Sequence, residues 1–463
     1  MESPTENQFT QGPLGVIYLK TALPIIFVMT MSGLLSVADA LFLGHYVGPE
    51  ALAAVTLMFP LYMLIIALGT LVSNGMSSIL ARRLGAEEFE AARRVFAESH
   101  GLAVGIALVL MAIYLLVGAD LALLAAGGSP TLAAIGQTYI EIILYSAPLF
   151  FALSINSDAL RNEGRVGFMA ALSLFVSLAN ILFNYLLIGQ LNMGVAGSAY
   201  GTVLAQIVAL WIVLGFRLHG KTLLRPAVIL SHMGVTSWRR ILALGAPQSL
   251  NFIGVALGSA SIVAALQLVE SVDYQATMTA YGILTRLFTF AILPLLGLSY
   301  AMQTITGNNF GAAHYHRSDQ SAQVALWAAL IYSAAVQAIL SLFPAAIAGW
   351  FVTDAMVIAE VARIMPIIML LFFLAGPMII VSAHFQAIGD ATRAAILGLS
   401  KPYLFAIPLT FGLALMLGEA GIWIAAPAAE LLLLALTSLV LMQVARRRSL
   451  RLGLFHPRSE GVV

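Results

Sequence analysis

Asp39 lies in "SVADALFLGHY" (36–46), inside an apolar run that begins near Leu14. A charge in mid-membrane costs ~2.5–3.5 kcal/mol on insertion scales, so a carboxylate there needs a compensating role. Asp39 precedes Gly44, where the run ends, by five residues. At 1.5 Å per residue that is about 8 Å below the boundary, too deep for a short side chain to reach water. In "ANILFNYLLIG" (179–189), Asn180 and Asn184 are four apart and share one helix face. Asn184 precedes Gly189 by five residues, which puts it at nearly the depth of Asp39. Thr202, in "GVAGSAYGTV" (194–203), falls nine residues beyond Met193 in the next, oppositely directed segment, at a comparable level.

One carboxylate, two amides and a hydroxyl therefore share a layer. Such oxygen donors suit a hard monovalent cation, or they hydrogen-bond a titrating carboxyl. Removal from water disfavours the charged form of an acid, so Asp39 is a candidate proton carrier. Sodium held by Asp39, Asn180, Asn184 and Thr202 is the alternative, and a purely structural acceptor locking the first span is the plainer one. The second half holds Arg286, Arg363, Lys401 and Glu430 within apolar segments. Among Arg286, Lys401 and Glu430 the plain reading is a buried ion pair and the other a substrate or gating role; Arg363, near a segment end, is read as snorkelling to the interface. "HYH" (314–316) lacks the partner spacing of a metal site and reads as a polar loop. The glycines of "GTLVSNGMSS" and "GVALGSAS" read as helix-packing surfaces, and the 18 Met and 24 Phe as lipid, core or adaptable cavity surface.

The elements that must position these residues are set by composition. Of 463 residues 61% are hydrophobic and 9% charged, where a soluble domain carries roughly a quarter charged. The apolar segments reach the ~20 residues that a bilayer-crossing helix needs, and none alternates as barrel strands do. The fold class is all-α and polytopic. With no cysteine, disulfides and thiolate metal sites are excluded. The start, "MESPTENQFTQ", lacks the basic region of a signal peptide.

Polar and Gly/Pro breaks give twelve spans, at 15–44, 52–79, 96–118, 133–157, 167–188, 194–216, 240–268, 275–304, 321–349, 357–387, 392–416 and 420–443. The even-numbered connections and the tail carry the basic residues: Arg82, Arg83, Arg93 and Arg94; Arg161 and Arg165; Arg217, Lys221, Arg225, Arg239 and Arg240; Arg317; Arg393; and Arg446, Arg447, Arg448 and Arg451. The odd-numbered side holds Glu50, Asp120, Glu270, Asp273, Asp354, Glu360 and Glu419. Basic loops stay in the cytoplasm, so both termini are expected there.

The halves repeat. "SSILARRLGAEEFEAARRV" (77–95) pairs with "QTITGNNFGAAHYHRSDQSAQV" (303–324), and "SDALRNEGRVGFMAA" (157–171) with "HFQAIGDATRAAILG" (384–398). Six spans per repeat keep both in one orientation, a transporter plan with an axis along the membrane normal. The expected division is an N-terminal six-helix bundle (1–216), a cytoplasmic linker (217–239), a C-terminal six-helix bundle (240–445) and a basic tail (446–463).

The stretches "LLSVADALFLGHYVGPEALAAV" (34–55), "ARRLGAEEFEAARRV" (81–95), "DALRNEGR" (158–165), "ANILFNYLLI" (179–188), "GVAGSAYGTV" (194–203) and "FQAIGDATRA" (385–394) together resemble the multidrug and toxic compound extrusion (MATE) family over essentially the whole chain. The resemblance implies twelve helices in two six-helix bundles around a V-shaped cleft. It implies export of cationic or amphipathic compounds in exchange for protons or sodium ions. Asp39 matches the family's span-1 coupling residue, and Asn180, Asn184 and Thr202 match its N-bundle cation site. Many relatives carry Asp where this chain has Asn184, which weakens a sodium site and leaves a proton-coupled Asp39 intact. Span 7 also lacks the Glu of the sodium-coupled norfloxacin exporters; Val255 stands there. These departures resemble the DNA-damage-inducible (DinF-like) branch and favour protons.

The expected function is cation-coupled antiport of small molecules at the inner membrane, by a monomer, without cofactor, nucleic acid or resident metal. A lipid or lipid-linked sugar flippase of the same superfamily would need a basic cavity, for which Arg286, Arg363 and Lys401 are available, and would leave Asp39 unexplained. An intramembrane enzyme would need a set of catalytic groups at one depth. His45 and His384 lie in different halves and offer none.

Overall fold

The computed structural model describes residues 7–220, 222–269 and 273–456; Lys221, Glu270 and the end of the tail, 457–463, lie outside them. The described residues form twelve apolar helical segments. They are α1 (Leu14–Val47), α2 (Phe59–Gly85), α3 (Phe89–Ala125), α4 (Pro130–Tyr145 and Ala147–Asn162), α5 (Val166–Gln190), α6 (Gly194–His219), α7 (Trp238–Leu268), α8 (Tyr274–Gly311), α9 (Tyr315–Leu342), α10 (Ala355–Met369 and Phe372–Ala387), α11 (Ala391–Leu417) and α12 (Glu419–Arg448). Each coincides with one span read from the sequence. A short helix, Pro49–Leu57, joins α1 to α2.

Two of the twelve are broken. α4 bends by 50° and α10 by 46°. In α4 the break falls at Ser146, before a second helix with proline in its first turn. In α10 the break frees backbone groups that a membrane interior cannot solvate. Gln337 of α9 satisfies them: its Nε2 donates to the Leu370 carbonyl at 2.8 Å, and its Oε1 accepts from the Phe373 amide at 2.8 Å.

The chain forms two compact units, one of Leu23–Ser249 and the other of Phe9–Ala22 with Leu250–Val463. The boundaries differ from the sequence division because each repeat's first helix is shared. Tyr18, at the start of α1, hydrogen-bonds the Ser321 carbonyl at 2.8 Å in the C-terminal unit. The first turns of α7 pack on α2 in the N-terminal unit, where a Cβ at Gly75 would lie 2.0 Å from the Ile241 carbonyl and one at Gly245 1.8 Å from the Leu71 carbonyl. Small residues permit this approach, so the "GTLVSNGMSS" glycines do pack helices. In "GVALGSAS", Gly254 meets Pro402, but Gly258 faces open space.

Arg161 and Arg217, read as loop residues, are buried at helix ends. Arg217 belongs to the last turn of α6, where it donates to Asn156 Oδ1 (2.5 Å), Glu163 Oε2 (3.0 Å) and the Leu224 carbonyl (2.9 Å). Arg161 pairs with Asp158 at 2.8 Å. The far end of the 217–239 connection is anchored as well: the Ser237 amide and the Trp238 indole both donate to Glu98. The linker is thus stitched to the N-terminal unit. Tyr315 and His316, read as loop, form the first turn of α9.

Candidate functional site

The four residues singled out in the N-terminal unit meet. α1 carries Asp39 and α5 carries Asn180 and Asn184 one turn apart, because an i,i+4 spacing returns to the same face. α6 brings Thr202 alongside. Asn184 Nδ2 donates to Asp39 Oδ1 at 2.6 Å and to Asn180 Oδ1 at 3.2 Å. Asn180 Nδ2 donates to Thr202 Oγ1 at 2.9 Å, and Thr202 passes its proton to the Ser198 carbonyl at 3.3 Å. The result is a continuous hydrogen-bonded chain whose donors diverge from Asn184, one way to the Asp39 carboxylate and the other through Asn180 and Thr202 to the α6 backbone. Both asparagines are buried, Asn184 completely, and Asp39 is half-buried.

Asn184 is the pivot. Both of its N–H protons are committed, one to each oxygen partner, while its Oδ1 is buried with no hydrogen-bond partner. That oxygen rests against Gly201, where a Cβ would lie only 2.1 Å away. A glycine at 201 is required so that α6 can approach the amide. The amide N–H donates most strongly to the ionised carboxylate; protonation of Asp39 leaves an acceptor oxygen but removes the charge that strengthens the bond.

The sequence did not disclose three further features. Tyr62 of α2 and Tyr139 of α4 lie within electrostatic range of the carboxylate. Phenols in apolar segments are common, and only the fold brings these two near Asp39. Leu43, one turn beyond Asp39 on α1, forms a small core with Ala51 and Val195, and Val47, Val55, Ile135 and Tyr139 pack against it. Finally, α1 and α5 both widen into a π-helical turn just beyond the polar residues, at Leu43–Val47 and Tyr185–Gln190. Such turns recur at functional sites and have no signature in residue types.

In the C-terminal unit, α11 also holds a widened turn, Ser400–Ala406. It carries Lys401, whose Nζ bonds Glu430 Oε1 of α12; the expected ion pair is present. Arg363 does more than reach the interface. It pairs with Glu360 on its own helix at 2.5 Å and with Glu419 of α12. Arg286 lies apart from these pairs, exposed on α8. Val255 of α7 is exposed too, at 61%.

Comparisons with known proteins agree with this architecture. The family model described as MatE matches residues 24–186 and 252–412, so its two copies reproduce the internal repeat. The probable multidrug resistance protein YoeA of Bacillus subtilis (strain 168) is 25% identical over 399 residues, covering 83% of this chain and 84% of YoeA. The multidrug export protein MepA of Staphylococcus aureus (strain bovine RF122 / ET3-1) is 23% identical over 417 residues, covering 88% and 90%. Among solved structures, an outward-facing multidrug resistance MATE family transporter of the MOP superfamily superposes with a TM-score of 0.84 at 23% identity, covering 94% of this chain and 97% of that one. A MATE protein in a bent conformation gives 0.85 at 23% identity, covering 94% and 96%. These superpositions show a common fold.

Proposed function

Because the chain belongs to the MatE family, the multidrug and toxic compound extrusion transporters, we propose that it exports cationic and amphipathic small molecules across the cell membrane in exchange for an inward-moving cation, and that Asp39 carries the coupling. The observation that carries the reading is the continuous hydrogen-bonded chain Thr202–Asn180–Asn184–Asp39, which ends on a carboxylate inside a membrane-spanning helix. The similarity to proteins named for multidrug resistance and multidrug export supports the substrate class.

Protons fit this site better than sodium ions. The oxygens of Asn180 and Thr202 already accept hydrogen bonds from neighbouring amides, and Asp39 Oδ1 accepts from Asn184. A sodium ion needs several free oxygens at once, and the buried Asn184 Oδ1, which has no hydrogen-bond partner, faces Gly201. A proton needs only the carboxylate. In the outward-open state Asp39 takes a proton from the outside. Its charge disappears, its bond to Asn184 weakens, and α1 is released to move relative to α5 and α6. α1 is continuous through Pro24, and Pro24 and Gly33 are where it would bend, since proline removes one rung of the helix ladder. A cation drives the cycle only if it binds the two states unequally; the Asp39–Asn184 bond supplies that difference. The chain works as a monomer in the inner membrane, with both ends in the cytoplasm.

Uptake of ethidium into everted vesicles, in sodium-free buffer under an imposed proton gradient, tests the reading. Gradient-dependent accumulation is expected. Accumulation only after sodium is added would transfer the coupling to sodium. Accumulation under neither gradient would favour lipid translocation instead, although pairing of Arg363 and Lys401 leaves little free basic surface for a lipid phosphate.

A further inference from the structure

Among the described residues of the second half, Arg286 is an intramembrane charge that neither the fold nor the coupling site uses. It sits in α8 about 18 Å along the helix from Tyr274 at 1.5 Å per residue, between Leu284 and Leu287. The other charges inside the apolar segments of the second half are paired. Lys401 holds Glu430, Arg363 holds Glu360 and Glu419, and Arg393 and Arg448 hold Asp390. Arg286 has no hydrogen bond or ion pair among the described residues and is exposed.

The face that presents it is not a lipid face. Gln275, Thr279, Gly282, Arg286 and Thr289 are all exposed and recur at steps of four and three, so they form one stripe on α8. The opposite face, with Thr277, Ala280, Leu284 and Ala291, is buried. Where helices of this protein meet lipid, the exposed residues are different in kind: Val104, Leu108, Ile113 and Leu116 on α3, and Val324, Trp327 and Ile331 on α9. A bare guanidinium among acyl chains is too costly to leave unpaired, so the α8 stripe faces a water-filled space. Thr279 and Thr289 spend their hydroxyl protons on carbonyls of their own helix, at 2.8 and 2.9 Å. They offer acceptor oxygens outward, and Arg286 is the stripe's charged donor. A guanidinium binds a carboxylate through two parallel N–H bonds. Phe290, exposed one turn further on, adds an aromatic surface beside it.

We infer that Arg286 is a specificity-determining residue that receives the carboxylate of those exported compounds that carry one. The inference rests on the exporter reading above, and its test is separable from that reading. Two dyes sharing one scaffold serve as probes: rhodamine 110, with a free carboxylate, and rhodamine 123, its methyl ester. Binding to the detergent-purified full chain is measured by fluorescence polarisation, which needs no coupling ion. Arg286→Gln is expected to weaken rhodamine 110 about tenfold, the worth of one charge-assisted contact, and to leave rhodamine 123 within about twofold; Arg286→Lys recovers part of the loss. Unchanged rhodamine 123 affinity also reports that the variant is folded. Equal weakening of both dyes, no effect on either, or no rhodamine 110 binding by wild type overturns the assignment. So does a rhodamine 110 effect that appears only when phosphatidylglycerol is added and competes with the dye, because Arg286 would then serve a lipid phosphate. Failure of wild type to move rhodamine 123 in vesicles, with the binding difference intact, would sink the exporter reading alone.

Discussion

Gly201→Ala probes the coupling site without replacing any polar group in it. The new Cβ would lie 2.1 Å from Asn184 Oδ1, well inside the ordinary contact of about 3.5 Å for non-bonded heavy atoms. The amide must retreat by roughly 1 Å or rotate. Straight retreat drives Nδ2 into Asp39 Oδ1, already at 2.6 Å, and rotation breaks both that bond and the 3.2 Å bond to Asn180. Either way the carboxylate loses its donor. A hydrogen bond to a charged group is worth about 1.5–3 kcal/mol net, or roughly tenfold to a hundredfold in the equilibrium between coupled states. A mid-helix Gly→Ala change otherwise stabilises by about 1 kcal/mol, which offsets part of an overpacking cost of about 1–3 kcal/mol, so uptake is compared at matched levels of folded protein. Gly215→Ala is the control, since it lies on the same helix with nothing within 4 Å of its Cβ position. Proton-driven ethidium uptake by Gly201→Ala should fall about tenfold or more while Gly215→Ala matches wild type. Wild-type uptake by Gly201→Ala, at normal protein levels, would refute the view that the Asn184–Asp39 contact matters.

Three further outcomes follow from the buried charges and the close-packed glycines. Glu430→Gln strands Lys401 and should lower stability by about 3 kcal/mol, whereas the double change Lys401→Met with Glu430→Leu should return most of it; Tm in detergent decides, and an unaltered Tm for the single variant would show the pair to be inert. Arg217→Lys cannot rebuild the fork onto Asn156, Glu163 and the Leu224 carbonyl, so it should destabilise nearly as much as Arg217→Ala, by about 3 kcal/mol; a Lys variant as stable as wild type would contradict this. Gly245→Leu meets the Leu71 backbone carbonyl, which has no side chain to swing aside, and it should abolish accumulation of folded protein in membranes, as read by gel-filtration fluorescence.

What could be read in the sequence follows from which quantities are local. Depth along a straight membrane helix is a matter of counting residues, and an i,i+4 spacing fixes a face. Asp39, Asn180, Asn184 and Thr202 could therefore be placed in one layer before any coordinates. That some of the C-terminal charges would pair was legible for a similar reason, since a lone charge at that depth needs a partner; that Lys401 and Glu430 are the two was not. Counting failed where the backbone departs from a regular helix. The widened turns after Asp39 and Asn184, and the breaks in α4 and α10, depend on tertiary partners such as Gln337. Arg161 and Arg217 were misplaced because the rule that marks basic loops cannot tell an arginine in water from one buried at a helix end with an acidic partner. Tyr62 and Tyr139 were missed because proximity across α1, α2 and α4 has no local signature.

The claim on which the account depends is that protons travel by way of Asp39. Purified protein in liposomes, loaded with a pH-sensitive dye, isolates that step: in sodium-free buffer, ethidium is added to one side and the movement of protons is followed for wild type and Asp39→Asn. Wild type should show an ethidium-dependent proton flux, and Asp39→Asn none, with ethidium binding retained. An equal flux in Asp39→Asn would place the coupling elsewhere in the chain and contradict the account.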